Sequence, residues 1–257
     1  MLTSSKKKIT SEDVFFLLWY IAPMIELPEV LLIDKPSGMT SFDVIRVLQK
    51  RLNPKPTEKT EGWQRLKIGH AGTLDPLATG LMVLGLKKGT KKLAELVKLD
   101  KEYVAEIRIG ERRSTGDLEG EIVEQVVVTE LDEAQVRQEL RGMIGVLTLP
   151  VSAYSAIKKD GVPMYKRARA AAAKGEVFEE VPYRDMEIME AQLLSLSCEK
   201  EYCVVTVRFY VRSGVYIRSL AEELGKRMGY PATLQNLRRT KVGEFLVEDA
   251  LQLDAVV

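Results

Sequence analysis

The chain of 257 residues has one histidine and two cysteines, and its formal net charge is only +1. Each scarcity excludes something. With His70 alone and no clustered thiols, a transition-metal site would lack its usual nitrogen and sulfur ligands, so no metal is expected. Cys198 and Cys203 stand five apart, and as positions of one strand they point to opposite faces. Neither a local disulfide nor a zinc pair is expected from them, and a reducing cytoplasmic compartment fits. A nearly neutral chain cannot hold nucleic acid through its overall charge, so such affinity must come from local groups of Lys and Arg. The apolar stretch VFFLLWYIAPM at 14–24 falls short of the about 20 residues that span a bilayer, and no membrane partner is expected. Nor does a Gly-Lys-Ser/Thr tripeptide follow the glycine-rich turn at 69–80, so the common phosphate-binding loop is absent there.

What is present describes an ordinary soluble domain, large enough to bury a substantial core. Residues 1–28 read as an N-terminal extension and 29–257 as one domain. Lys6 to Lys8 ahead of the apolar stretch imitate a signal peptide without a small-residue cleavage site. Translation beginning at Met24, or a docked apolar helix, are the other two readings of this segment. Basic residues gather at Lys87, Lys88, Lys91 and Lys92, at Lys158, Lys159, Lys166, Arg167 and Arg169, and at Arg238, Arg239 and Lys241. Each group suits either a solvated face or contacts to phosphate.

Periodicity divides the chain into elements. Thr40 or Ser41 can cap a helix through Leu52, with Phe42, Ile45 and Leu48 at helical spacing and Pro54 stopping it. Residues 53–65 are polar, carry two prolines and read as an exposed loop. Alternation of Tyr103, Ala105, Ile107 and Ile109 with charged residues predicts a strand from Lys101, and Cys203 to Val211 repeats the pattern. Thr129 and Asp132 resemble a cap for a helix bearing Val136, Leu140 and Met143. A further helix follows Tyr216, with Ile217, Leu220, Ala221, Leu224 and Met228 on its apolar face and Gly229 at its end. Residues 149–188 are rich in Ala and basic residues, contain few apolar repeats, and predict a mobile insertion. The mixture argues for an α+β domain.

The segment GHAGTLDPLATG, residues 69–80, holds the only histidine and an Asp-Pro within a glycine-rich turn. Glycines permit tight backbone, and Pro76 biases Asp75 to extended geometry, so its carboxylate is fixed by the chain. From the residues alone, Asp75 is either a turn cap or a catalytic carboxylate. This segment, with LLIDKPSGMTS at 31–41, KEYVAEIRIG at 101–110, SAYSAIKKDGVPMYKRAR at 152–169, RSGVYIRSLAEELG at 212–225 and LRRTKVGEF at 237–245, resembles the TruB family of tRNA pseudouridine-55 synthases.

The resemblance implies the pseudouridine synthase fold: a mixed, mostly antiparallel sheet with flanking helices, and a thumb at 149–188 that closes on RNA. It implies a cofactor-free isomerase acting on uridine 55 in the T-loop of tRNA, expected to be monomeric and cytoplasmic. The tRNA T-arm is the implied partner. Asp75 is then the catalytic carboxylate. A carboxylate in a closed pocket needs a cation to stay charged, and Arg218 of the "YIR" match is the implied partner, although Arg218 with Glu222 also reads as a surface helix pair. Tyr103 and Tyr216 match aromatic positions that stack the extruded base, Tyr103 being counted with the catalytic set; Tyr103 also reads as a core residue. His70 matches the residue that fills the stack vacated by the base, and Leu237 one that packs on the uracil. STGDLEGE at 114–121 keeps Asp117 and Gly120 but shortens the family pattern, with no catalytic consequence attached. The small C-terminal RNA-binding module of the family is expected to be missing after LRRTKVGEF. A guide-RNA-dependent relative acting on ribosomal RNA and a non-catalytic tRNA-folding chaperone are the alternatives.

Overall fold

Two stretches of strict alternation form the middle of one sheet. In the computed structural model, which describes residues 27–55, 64–152, 158–159, 161–172, 174 and 181–256, Lys101–Ile109 and Cys203–Val211 are strands whose odd-numbered residues are buried. They pair antiparallel, so Ala105 and Ile107 meet Val207 and Val205 on one covered face. Each of the valine and isoleucine side chains contributes roughly 1.5–3 kcal/mol on leaving water.

In chain order the strands are β1 (Val30–Lys35), β2 (Ile68–His70), β3 (Thr79–Leu86), β4 (Lys101–Ile109), β5 (Glu111–Arg113), β6 (Ile122–Gln125) and β7 (Gly145–Pro150). They continue with β8 (Lys158–Lys159), β9 (Val162–Pro163), β10 (Tyr183–Cys198), β11 (Cys203–Val211), β12 (Ala232–Val242), β13 (Phe245–Leu246) and β14 (Leu251–Gln252). The helices are α1 (Ser41–Leu52), α2 (Leu93–Leu96), α3 (Glu133–Gly142), α4 (Met164–Ala172) and α5 (Ile217–Met228). The main sheet runs β14-β1-β3-β12-β4-β11-β10-β7, with β2 on β3 and β13 on β12. The β1–β14 and β3–β12 pairs are parallel and the rest antiparallel, so the sheet is mixed and mostly antiparallel as the sequence implied.

The helix boundaries follow their caps. Thr40, rather than Ser41, caps α1 in a reciprocal box with Asp43. Asp132 caps α3 through the Ala134 N–H. Gly229 ends α5 in the left-handed region at φ 80°, which a side chain would resist. The apolar face named for α5 is buried, Leu220, Ala221 and Leu224 completely.

Within 149–188, residues up to Pro150 belong to β7, and β10 begins at Tyr183 in register with it. Between them lie the small β8–β9 hairpin and α4. The readings of residues 1–26, and the middle of the 53–65 loop, lie outside the described residues. Among the described residues no helix is long and apolar enough to cross a membrane.

The cysteine expectation is corrected. Cys198 and Cys203 form a disulfide, with Cα atoms 4.0 Å apart. Residues five apart point to opposite faces only where one strand runs through both. Here the chain reverses at 199–202, with Glu199 N–H donating to the Tyr202 carbonyl, and the two cysteines face each other as the last pair of β10 and β11. The argument for a reducing compartment from unpaired thiols falls with it.

Candidate active site

The loop carrying Asp75 is fastened by the segment that joins β1 to α1. Ser41 Oγ donates to the Leu74 carbonyl at 3.0 Å and accepts from Leu74 N–H at 2.8 Å. Gly38 N–H donates to the Pro76 carbonyl and Ser37 Oγ to that of Leu77, at 2.9 and 3.1 Å. Lys35, wholly buried, directs its ammonium to the carbonyls of Pro36, Met39 and Pro76. A turn bond from Ala78 N–H to the Asp75 carbonyl completes the bend. Backbone on both sides of Asp75 is therefore held, while the carboxylate itself stays accessible, its side chain 38% exposed.

Beneath the loop lies Arg239, only 1% exposed, whose Nε donates to the Leu81 carbonyl and Nη2 to that of Gly72. Gly72 and Gly80 have φ of 111° and 101°, and a Cβ on Gly80 would collide with the Arg239 backbone. Gly80 lets β3 lie against β12, and Gly72 leaves room for the Arg239 guanidinium. Of the third basic group, Arg239 is thus internal and no phosphate contact, while Arg238, its side chain 40% exposed, pairs with Asp34 at 2.8 Å.

Arg218 enters from the first turn of α5. Its Nη2 lies 3.0 Å from Asp75 Oδ2, and its side chain is 6% exposed, so it is no surface partner of Glu222. Nη1 donates to the Thr115 carbonyl at 2.9 Å and to Ser152 Oγ at 2.8 Å, with Asp117 Oδ2 3.7 Å away. Asp117 is buried in the β5–β6 turn, accepting from Thr115 Oγ1 at 2.6 Å and from Glu119 N–H at 3.1 Å. The guanidinium therefore bridges an accessible carboxylate and a buried one.

Tyr103 and Leu237 lie on the neighbouring strands β4 and β12, where Arg239 pairs with Tyr103 and Leu237 with Ala105 on the buried face. Tyr216 is the N-cap of α5, two residues before Arg218, and packs on the core cluster. His70 lies on β2, paired with Leu84, and its Nδ1 is buried without a hydrogen-bond partner. Burial, and then the Arg239 charge, hold the imidazole below its ordinary value, so at pH 7 the ring is neutral. Among the six residues named from the sequence, then, a direct ion pair joins Asp75 and Arg218; the others are placed by strand register and chain proximity. Lys35 and Ser152 were not singled out by sequence, Ser41 was read only as a candidate helix cap, and Asp117 was noted without a catalytic role. An Asp flanked by Thr115 and Gly120 signals a turn, but nothing local says that the turn packs on Arg218.

Burial pushes the Lys35 ammonium down to about 8, with Asp75 pulling the other way. The folded chain releases this proton near pH 8, whereas the unfolded chain keeps it to the ordinary 10.5. Between those values the unfolded state binds more protons, so the contribution to stability rises with pH across that window. Lys101, pushed down to about 8 by burial and then Arg239, acts in the same sense. Lys35→Met is expected to flatten the slope of urea-derived unfolding free energy between pH 8 and 10, by at most about 1.4 kcal/mol per pH unit. An unchanged slope would assign the titration to another group.

Residues 59–217 match the TruB family pseudouridylate synthase N terminal domain. The chain belongs to that family. Its similarity to curated relatives extends further along the sequence. It is 39% identical over 236 residues to tRNA pseudouridine synthase B of Opitutus terrae, covering 92% of this chain and 90% of the relative. Against the protein of the same name from Corynebacterium efficiens it is 38% identical over 224 residues, covering 87% and 70%. Among solved structures, a chain in a Cbf5-Nop10-Gar1 complex superposes with a TM-score of 0.60 at 24% identity, covering 88% of this chain and 52% of that one. A chain of an H/ACA RNP bound to a substrate RNA containing 2'-deoxyuridine gives 0.59 at 24%, covering 88% and 51%. This chain spans about half the length of those two, and the likeness is one of fold: the α+β pseudouridine synthase fold. Among the described residues no three His, Cys, Asp or Glu side chains gather closely enough to hold a metal ion.

Proposed function

We propose that this chain converts uridine to pseudouridine in tRNA, at position 55 of the T-loop, with Asp75 as the reacting carboxylate. The observation that carries the reading is the 3.0 Å contact between Asp75 and Arg218, made where the loop backbone is fixed and the carboxylate is open to a ligand. The relatives at 38–39% identity carry the name tRNA pseudouridine synthase B, which favours tRNA over a guided ribosomal substrate.

The reaction breaks the bond between uracil N1 and ribose C1′, turns the base, and joins C5 to C1′. The hydrogen on C5 departs and N1 gains one, so the product is an isomer and no redox partner is consumed. Such an exchange needs a carboxylate at the sugar and base, held in place and shielded from water that would intercept the detached base. Arg218 orients that carboxylate. A uridine within a folded loop must leave its stack to reach it. Tyr103 and Tyr216 offer aromatic faces and Leu237 an apolar one, while His70, as a neutral ring, suits filling the vacated stack. The reading includes a monomeric cytoplasmic enzyme without metal or cofactor.

The reading is tested by tritium release from tRNA carrying uridine labelled at C5, with the site mapped by base-specific chemistry. Release confined to uridine 55 supports it; release at another position, or from ribosomal RNA alone, overturns it. The tRNA backbone has a candidate contact in Lys91 and Lys92, which stand exposed before α2, Lys92 meeting Glu29 at 2.7 Å. Because Glu29 already offsets Lys92, changing both lysines to Ala should lower the slope of log affinity against log salt by about 1 rather than 2. An unchanged slope would remove both from the RNA surface.

A further inference from the structure

A guanidinium presents five N–H groups in one plane, so what each nitrogen faces decides how the whole group is turned. In Arg218 the two hydrogens of Nη1 have two close acceptors, the Thr115 carbonyl at 2.9 Å and Ser152 Oγ at 2.8 Å. Asp117 Oδ2, at 3.7 Å from the same nitrogen, is a charged acceptor just beyond hydrogen-bonding reach. Asp117 thus competes with Thr115 and Ser152 for Nη1, and a guanidinium turned onto Asp117 would have to give up part of its fit to its present acceptors.

Ser152 is well placed to oppose that rotation. Its hydroxyl accepts from Nη1 and donates to the Thr115 carbonyl at 3.4 Å, so both of its roles are directed. The two residues before it are each held by a neighbouring element. Val151 N–H donates to the Pro182 carbonyl at 2.9 Å, closing the base of the insertion. On the other side, Ser219 Oγ from α5 donates to the Pro150 carbonyl at 2.7 Å. The hydroxyl therefore sits where the end of β7, the start of the insertion and the first turn of α5 meet.

We propose that Ser152 is a positioning residue for pseudouridine formation: by occupying Nη1 of Arg218 it keeps the guanidinium from turning to Asp117 and leaves Nη2 on Asp75. This rests on the function proposed above. Ser152 acts on the reaction through Arg218, and its contribution depends on the competing charge of Asp117.

The test is a double-mutant comparison on tRNA, with kcat and KM measured separately and unfolding followed for each variant. Ser152→Ala is expected to lower kcat about fivefold to tenfold with KM changed less than about twofold, because one charge-assisted hydrogen bond is lost while Thr115 still holds Nη1. Ser152→Thr, which keeps the hydroxyl, should return kcat to within about twofold of the parent. In an Asp117→Asn background, where the competing charge is gone, Ser152→Ala should have less than half of its effect on log kcat. An equal loss in both backgrounds, a loss in KM alone, or an unchanged kcat overturns the proposal. Should the alanine variant fail to fold, Ser152→Cys, of similar size but a weak acceptor, replaces it with the same expectations. A parent chain that releases no tritium from any tRNA overturns the underlying function, whereas an active parent with an indifferent Ser152→Ala overturns the Ser152 role alone.

Discussion

Asp75→Asn is expected to lower pseudouridine formation by at least about a thousandfold while changing tRNA affinity by less than about threefold. The substitution keeps the size of the side chain and its place in a loop held by Lys35, Ser37, Gly38 and Ser41. It removes the charge that faces Arg218 and the oxygen that would react. Binding draws on surfaces spread over the molecule and should persist. Tritium release and filter binding, measured on the same preparation, separate the two. If release survives in the Asn variant, the carboxylate is not the reacting group. If the parent binds and remodels tRNA without any release, the chaperone reading takes precedence.

The second large effect is expected at Arg218. Arg218→Ala should lower kcat by about a hundredfold or more and also destabilise the fold by about 3 kcal/mol, because Asp117 would stay buried without its cation. Arg218→Lys separates the two consequences. A lysine keeps the positive charge and so most of the stability, but a single ammonium cannot reach Asp75, Thr115 and Ser152 at once. It should therefore fold near the parent midpoint and still lose about tenfold or more in kcat. Thermal unfolding beside single-turnover rates provides the check. A fully active lysine variant would show that charge alone matters at this position.

Much of the fold could be read from local pattern. The period-two runs of β4 and β11 and the helices α1, α3 and α5 appear where their residues place them, although Asp132 without Thr129 caps α3 and Phe42, placed on the apolar face of α1, is exposed. The long strand β10 could not be read, since register shifts at Ile188/Glu190 and Leu193/Ser195 break the alternation that would reveal it. The disulfide was missed for a related reason. The reversal at 199–202 is made by Glu-Lys-Glu-Tyr, with no Gly, Pro, Asn or Asp to signal a turn. For the site, composition and spacing left Asp75 and Arg218 ambiguous, and only the family resemblance joined them. Lys35 and Ser152 escaped notice, and Ser41 was read only as a candidate helix cap, because their partners are 41, 66 and 33 residues away. Side chains whose work is defined by contacts at such separations leave no local periodicity to read.

The position of β12 affects how the molecule is made. Consecutive strands β3 and β4 are not neighbours in the sheet, because β12, parallel to one and antiparallel to the other, lies between them. On a ribosome the first two strands emerge well before the third, with open edges facing each other in antiparallel sense. The native arrangement requires that they remain apart until residues 232–242 arrive to fill the gap. Arg239 brings its guanidinium to Gly72 in that same late step, so the floor of the Asp75 loop is laid only as synthesis nears this strand. Long-range strand insertion of this kind favours slow folding and leaves chains that lack β12 prone to mispairing between β3 and β4.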